Sequence, residues 1–411
     1  MFCDLMLQRR HTMQKRNEAP QERLVCAMAT LTWGIIMTAR TAVSYFAVPM
    51  GLTAGQLGTL GCAMSVAAFL SALLVGKRVN RSGRIAESLI VALLGTAVCL
   101  GLTSLTRSFR ELLTVRIVMG AFAGPMYTLL TYAVRLTSRE ERYASNIGLI
   151  TLGEAMVSGI LWPSLVVRFV DAWGWRRANG TLLLPLALFL LAWGIQRKRI
   201  HGTVRDSGEK QAGSGFLELM RYRNIPLCCL YGVLAMLTAM IIYSYAPMYW
   251  IKAGGCTDGE MGTRMTVMGI FMAGFSLILP AVSDRWGRKV VVIPSCAIAS
   301  VTLFAMYFAP TSRLSAVLFS IFGGFPSVLP LFAMAVISVE SVPLELCAVA
   351  VSLVNGICEL LGSALGPLLG GLAADRGGIT AAMLMGAVCM TLCVPVTALM
   401  AETNGRKKRY K

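Results

Sequence analysis

Four ionisable side chains stand inside long apolar stretches of this 411-residue chain: Arg40, Arg116, Glu154 and Glu359. A guanidinium can grip a carboxylate or phosphonate through two parallel hydrogen bonds. A carboxyl group withdrawn from water can take up and release a proton. This is the chemistry of binding an anion and moving a proton, not of breaking bonds. The sequence has no nucleophile–base set and no GxxxxGK[ST] loop through which ATP would drive it directly. Its twelve cysteines are scattered singly apart from Cys228-Cys229, and His11 and His201 fall in basic segments, so neither a metal nor another cofactor is expected.

Each of these residues also has a purely structural reading. Arg40 lies near the end of its stretch and could extend its head to the interface. Arg116 is about one turn inside its stretch, placed either to bind anions in an outer vestibule or to pair with Glu111. Glu154 and Glu359 are candidates for proton coupling, or for hydrogen bonding to a neighbouring helix. Asn355, one turn before Glu359, would bind polar groups of a substrate or bridge helices. Tyr45 and Phe46, with Tyr243, Tyr245, Tyr249 and Trp250, crowd equivalent ends of two stretches. They read as interface anchors or as a mouth closing over substrate, with Tyr249 and Tyr45 the candidate contacts.

Helices must position these groups. The chain is 56% hydrophobic and 14% charged. Apolar runs of about 20 residues recur, enough to cross ~30 Å of hydrocarbon as helices. Spans are predicted at 24–46, 57–76, 86–105, 111–134, 145–168 and 178–196. After a polar linker come 225–250, 261–283, 290–309, 313–338, 346–372 and 379–400. Around them lie a tail (1–23), a hinge-like linker (197–224) and a basic tail (401–411), leaving bundles at 24–196 and 225–400. A formal charge of +18 would suit nucleic acid, but the basic residues fall in short loops. Counted by alternate sides, 27 lie on the side of both termini and 9 on the other. That bias places both termini in the cytosol, here of a multi-pass protein of the plasma (inner) membrane.

The two sets of six repeat one another at an offset of 204 residues. Gly255, Thr257, Gly259, Gly262 and Thr263 answer Gly51, Thr53, Gly55, Gly58 and Thr59; Pro367 answers Pro163, Asp375 answers Asp171, and Glu345 answers Glu141. Ser283-Asp284-Arg285-Trp286-Gly287-Arg288-Lys289 reads as a tight basic loop, with Asn80-Arg81-Ser82-Gly83-Arg84 as its echo. Function is therefore expected where the two copies face each other.

The loop pattern at 284–289 resembles the signature loop of the major facilitator superfamily, and Gly76–Arg84 matches it with Asn80 where that family usually has Asp. Arg116-x-x-x-Gly120 and the Gly362, Gly366, Pro367, Gly370, Gly371 series are similar to further motifs of the same family. The resemblance implies an all-α membrane protein of twelve helices in two pseudo-symmetric bundles, a monomer. A small-molecule substrate would be reached alternately from each side, with Asn80, Arg81, Gly83, Arg84, Asp284, Arg285, Gly287 and Arg288 forming conformational loops. Arg40, Ser44, Pro49, Leu57-Gly58 and Asn355 resemble the anion:cation symporter group. Ala39 and Ala123 stand where that group carries the acids associated with proton coupling, so any coupling here must rest on another acid. The expected function is secondary transport of a small organic anion, coupled to a proton or other ion. An exporter of lipophilic cations and a non-transporting receptor are the alternatives.

Overall fold

The computed structural model describes residues 2–82, 84–138, 146, 149–150, 152–197, 218–343 and 346–403. Among the described residues, eleven helical segments are long and apolar enough to cross a membrane. One of them, Glu154–Gln196, has 43 residues, about 64 Å of helix and twice a bilayer core. It breaks at Gly174, where φ is 75° and ψ 159°, a conformation only glycine adopts without strain. Twelve spans result. In the first half they are α1 (Phe2–Phe46), α2 (Ala54–Ser82), α3 (Ile85–Leu105), α4 (Phe109–Thr137), α5 (154–173) and α6 (175–196). In the second they are α7 (Asn224–Lys252), α8 (Asp258–Trp286), α9 (Arg288–Phe308), α10 (Arg313–Glu340), α11 (Val349–Gly377) and α12 (Ile379–Leu399). The expected polar tail is helical from Phe2 and continuous with the first span. Gly83, Glu141, Glu345 and most of the linker and basic tail lie outside the described residues, as do the side chains of Asn80 and Arg81.

The backbone carries the 204-residue repeat more fully than the side chains do. Gly378 has φ 80° and ψ 166°, matching Gly174, and Gly51 and Gly255 turn at φ 69° and 64°. Glu154–Leu161 and Cys358–Ser363 are both π-helical. Each precedes one of the paired prolines, Pro163 and Pro367. Proline has no N–H for the i−4 carbonyl and its ring crowds that carbonyl; a widened turn accommodates the fault.

The halves meet along α2–α11 and α5–α8. Gly58 lies against the carbonyl of Pro367, and Gly262 against that of Pro163. On the α2–α11 seam the Tyr245 hydroxyl lies 3.1 Å from the Ala54 carbonyl and 2.5 Å from that of Pro367. Asp375 Oδ1 accepts the Gly55 N–H at 3.0 Å. The α5–α8 seam has the Ser164–Thr266 hydroxyl pair at 2.8 Å. These contacts close the end of the molecule that bears Gly51 and Gly255.

At the opposite end the expected basic loop shrinks to one residue. Helix α8 runs through Trp286, α9 begins at Arg288, and Gly287 between them has φ 112°. The Glu402 carboxylate accepts the N–H groups of Arg288 (2.8 Å) and Lys289 (3.1 Å), supplying the acceptors that a helix start lacks. Arg288 reaches Glu340 at 2.6 and 3.2 Å and Asp284 at 2.5 Å. Arg285 is a basic residue in the last turn of α8.

Candidate functional site

Helix α1 places Trp33, Met37, Arg40, Thr41 and Tyr45 at intervals of three and four, so they share one face. Arg40 is half-buried; its Nη1 touches only the Met37 sulfur, at 3.7 Å, and no described carboxylate forms an ion pair with it. Thr41 lies 3.3 Å from Ser158 on α5. One turn before Ser158, Glu154 is also half-buried, which leaves it surface inside the protein.

Glu154 is the hub. Its charged neighbours are Arg40 from α1 and Glu359 from α11. The Tyr243 hydroxyl of α7 donates to Glu154 Oε1 at 3.4 Å and also lies 3.5 Å from the Met272 sulfur. The Trp33 indole N–H is turned toward the same carboxyl without closing an ordinary hydrogen bond, and its ring packs against Tyr127 at 5.0 Å. Tyr45, on the same face of α1 as Arg40, is buried. Glu359 is half-buried and takes the Ser363 hydroxyl on Oε2 at 3.0 Å. Its other oxygen has no hydrogen-bond partner among the described residues and is not sealed from solvent. Two helices from each half, α1 and α5 with α7 and α11, thus bring one guanidinium and two carboxylates to one place.

Other expected members stand elsewhere. Tyr249 is fully buried and donates to the Met306 carbonyl at 2.6 Å, joining α7 to α9 within one half rather than lining a mouth. Arg116 is 1% exposed and meets neither a vestibule nor Glu111. Its Nη1 lies 3.0 Å from the Arg40 carbonyl and 3.4 Å from that of Ala39. Glu111 instead accepts the Arg107 N–H at 2.8 Å, in the N-terminal cap of α4. Asn355 Nδ2 reaches the Met334 carbonyl at 3.4 Å, bridging α11 to α10. Trp33 was not legible as a site residue, because a tryptophan in an apolar run looks like core; its spacing from Met37 and Arg40 was the available signal. Tyr243, read as one of several aromatics at a helix end, proves to be the second half's contact to Glu154.

Two bundles around a polar centre, with the repeat preserved in the backbone, define a membrane carrier architecture. A model of the Major Facilitator Superfamily matches residues 24–363 and 255–410, and the chain belongs to that family. Similar solved structures include transporters. A bacterial homolog of the human lysosomal transporter Spinster, inward-facing and unoccupied, is 15% identical with a TM-score of 0.74, over 92% of this chain and 96% of that one. The nucleoside transporter NupG is 15% identical with a TM-score of 0.73, over 95% and 99%. The human organic anion transporter MFSD10 (TETRAN) is 16% identical with a TM-score of 0.61, over 92% and 99%. At these identities the likeness is one of fold. No curated protein sequence matches the chain.

Proposed function

We propose that this protein is a proton-coupled secondary transporter of a small organic anion, a carboxylate or sugar acid, and that its basic-loop end faces the cytosol. The observation that carries the reading is the unpaired guanidinium of Arg40 beside Glu154, on the surface where the two halves meet. Arg40 holds the anionic group; Glu154 or Glu359 carries the proton. Like charges about 6 Å apart at an effective dielectric near 20 repel by about 3 kcal/mol, roughly a hundredfold in affinity. An anion on Arg40 meets that repulsion while the neighbouring carboxylates are ionised, and protonation of one of them relieves it. Binding of the anion and of the proton therefore favour each other, which is the linkage a symporter needs.

The Met37, Met272, Trp33 and Tyr127 walls would also suit a lipophilic cation, but Arg40 at the same centre repels one. The deciding measurement is uptake of carboxylates and sugar acids into proteoliposomes under an imposed proton gradient. Arg40→Ala is expected to lower uptake at least about 30-fold, the loss typical of a truncated charge pair. Undiminished uptake by Arg40→Ala at normal protein abundance would overturn the reading.

A further inference from the structure

The charges at the centre do not balance for a simple anion. The cluster holds one guanidinium and two carboxylates, Arg40 against Glu154 and Glu359. An anion neutralises Arg40 and leaves both carboxylates without a counter-charge, so a neutral occupied centre would require two protons. The two acids are differently equipped. Glu154 faces Arg40, the Tyr243 hydroxyl and the Trp33 indole. Glu359 has the Ser363 hydroxyl on one oxygen, and the other is open.

Resting on the anion-transporter reading above, we infer that the substrate is a zwitterion, its carboxylate on Arg40 and its ammonium group on the open oxygen of Glu359. Glu154 then carries the single proton, and the occupied centre is neutral. An ammonium group offers three donors and no acceptor, which suits an open carboxylate oxygen. A zwitterion in this position also links the halves: Arg40 belongs to α1 and Glu359 to α11. A molecule lacking either charge engages one half only. Occupancy is thereby tied to the relative position of the two bundles, as alternating access requires.

The test uses the full-length protein purified in detergent and matched ligand pairs: alanine with propionate, γ-aminobutyrate with butyrate, and phenylalanine with phenylpropionate. Thermal stabilisation reports binding. In at least one pair the amino compound is expected to bind at least about 30-fold more tightly than its partner. Glu359→Gln should abolish that preference and improve binding of the plain carboxylate, a reversal that loss of structure would not produce; Glu359→Asp should keep the preference. Equal binding within every pair, unaffected by Glu359→Gln, would overturn the zwitterion and leave the anion reading standing. Stabilisation by no member of any pair would also overturn it. Carboxylate binding that survives Arg40→Ala would instead remove the anion reading beneath it.

Discussion

In the second half, Arg288 is held by Glu340 and Asp284 while the Glu402 carboxylate closes over the first turn of α9. In the first half, the residues 204 positions before those three acids are Asn80, Leu136 and Lys198, none of which can hold an arginine. Arg84, the counterpart of Arg288, pairs among the described residues with Glu87 at 3.7 Å, its side chain 71% exposed; Arg197 shares the same carboxylate at 2.7 Å. Duplication has thus kept the backbone plan, while among the described residues the buried arginine clamp stands in the second copy. The basic-loop end of the second half is a fixed clamp. In the first half, the described pairs of Arg84 and Arg197 with Glu87 lie at the surface, where water and salt leave little net gain.

The sharpest way to break this comparison is to remove the two arginines separately. Arg288→Ala removes a buried guanidinium held by Glu340 and Asp284, and is expected to cost about 1.5–3 kcal/mol. Arg84→Ala should cost about 0–1 kcal/mol. Equal shifts in thermal unfolding would show that the clamp is not asymmetric.

The seams between the halves extend the comparison to the other end. A methyl group on Gly58 would strike the backbone carbonyl of Pro367, which cannot rotate away; at Gly262 it would meet the Val167 side chain at 2.8 Å, which can, and the Pro163 carbonyl at 2.9 Å, a shallower clash. Gly58→Ala is expected to disfavour closure of that end by about 1–3 kcal/mol, and Gly262→Ala by less. Labelling of an introduced cysteine at the closed end would read the difference, and a larger effect at Gly262 would invert the assignment.

The smallest effect concerns the paired aspartates. Asp375 accepts the Gly55 N–H, whereas Asp171 makes no hydrogen bond among the described residues and Gly259 has open space around it. Asp375→Asn should weaken closure by about 1 kcal/mol and Asp171→Asn should leave it unchanged, measured by the same labelling.

The helices, their number and the repeat were legible in the sequence because each is a local or periodic property: run length, turn residues and a constant offset. Arg40, Glu154 and Glu359 were legible because an ionisable group in an apolar run is costly and needs a reason. What could not be read is pairing at long range. Glu340 lies 52 residues from Arg288, and no spacing rule joins them. Tyr249 has the same local signature as Tyr243, yet one hydroxyl meets the Met306 carbonyl and the other meets Glu154. The direction each tyrosine faces is set by which helix lies beside it. Arg116 was read by its depth alone, while its acceptors are carbonyls on another helix.

The widened turns before Pro163 and Pro367 also give each half the same platform for a carboxylate. They begin at residues 154 and 358, the same place in each copy. The acids do not share that register: Glu154 is matched by Cys358, and Glu359 by Ala155. A matched pair of backbone turns thus carries an unmatched pair of acids, one position out of step between the halves.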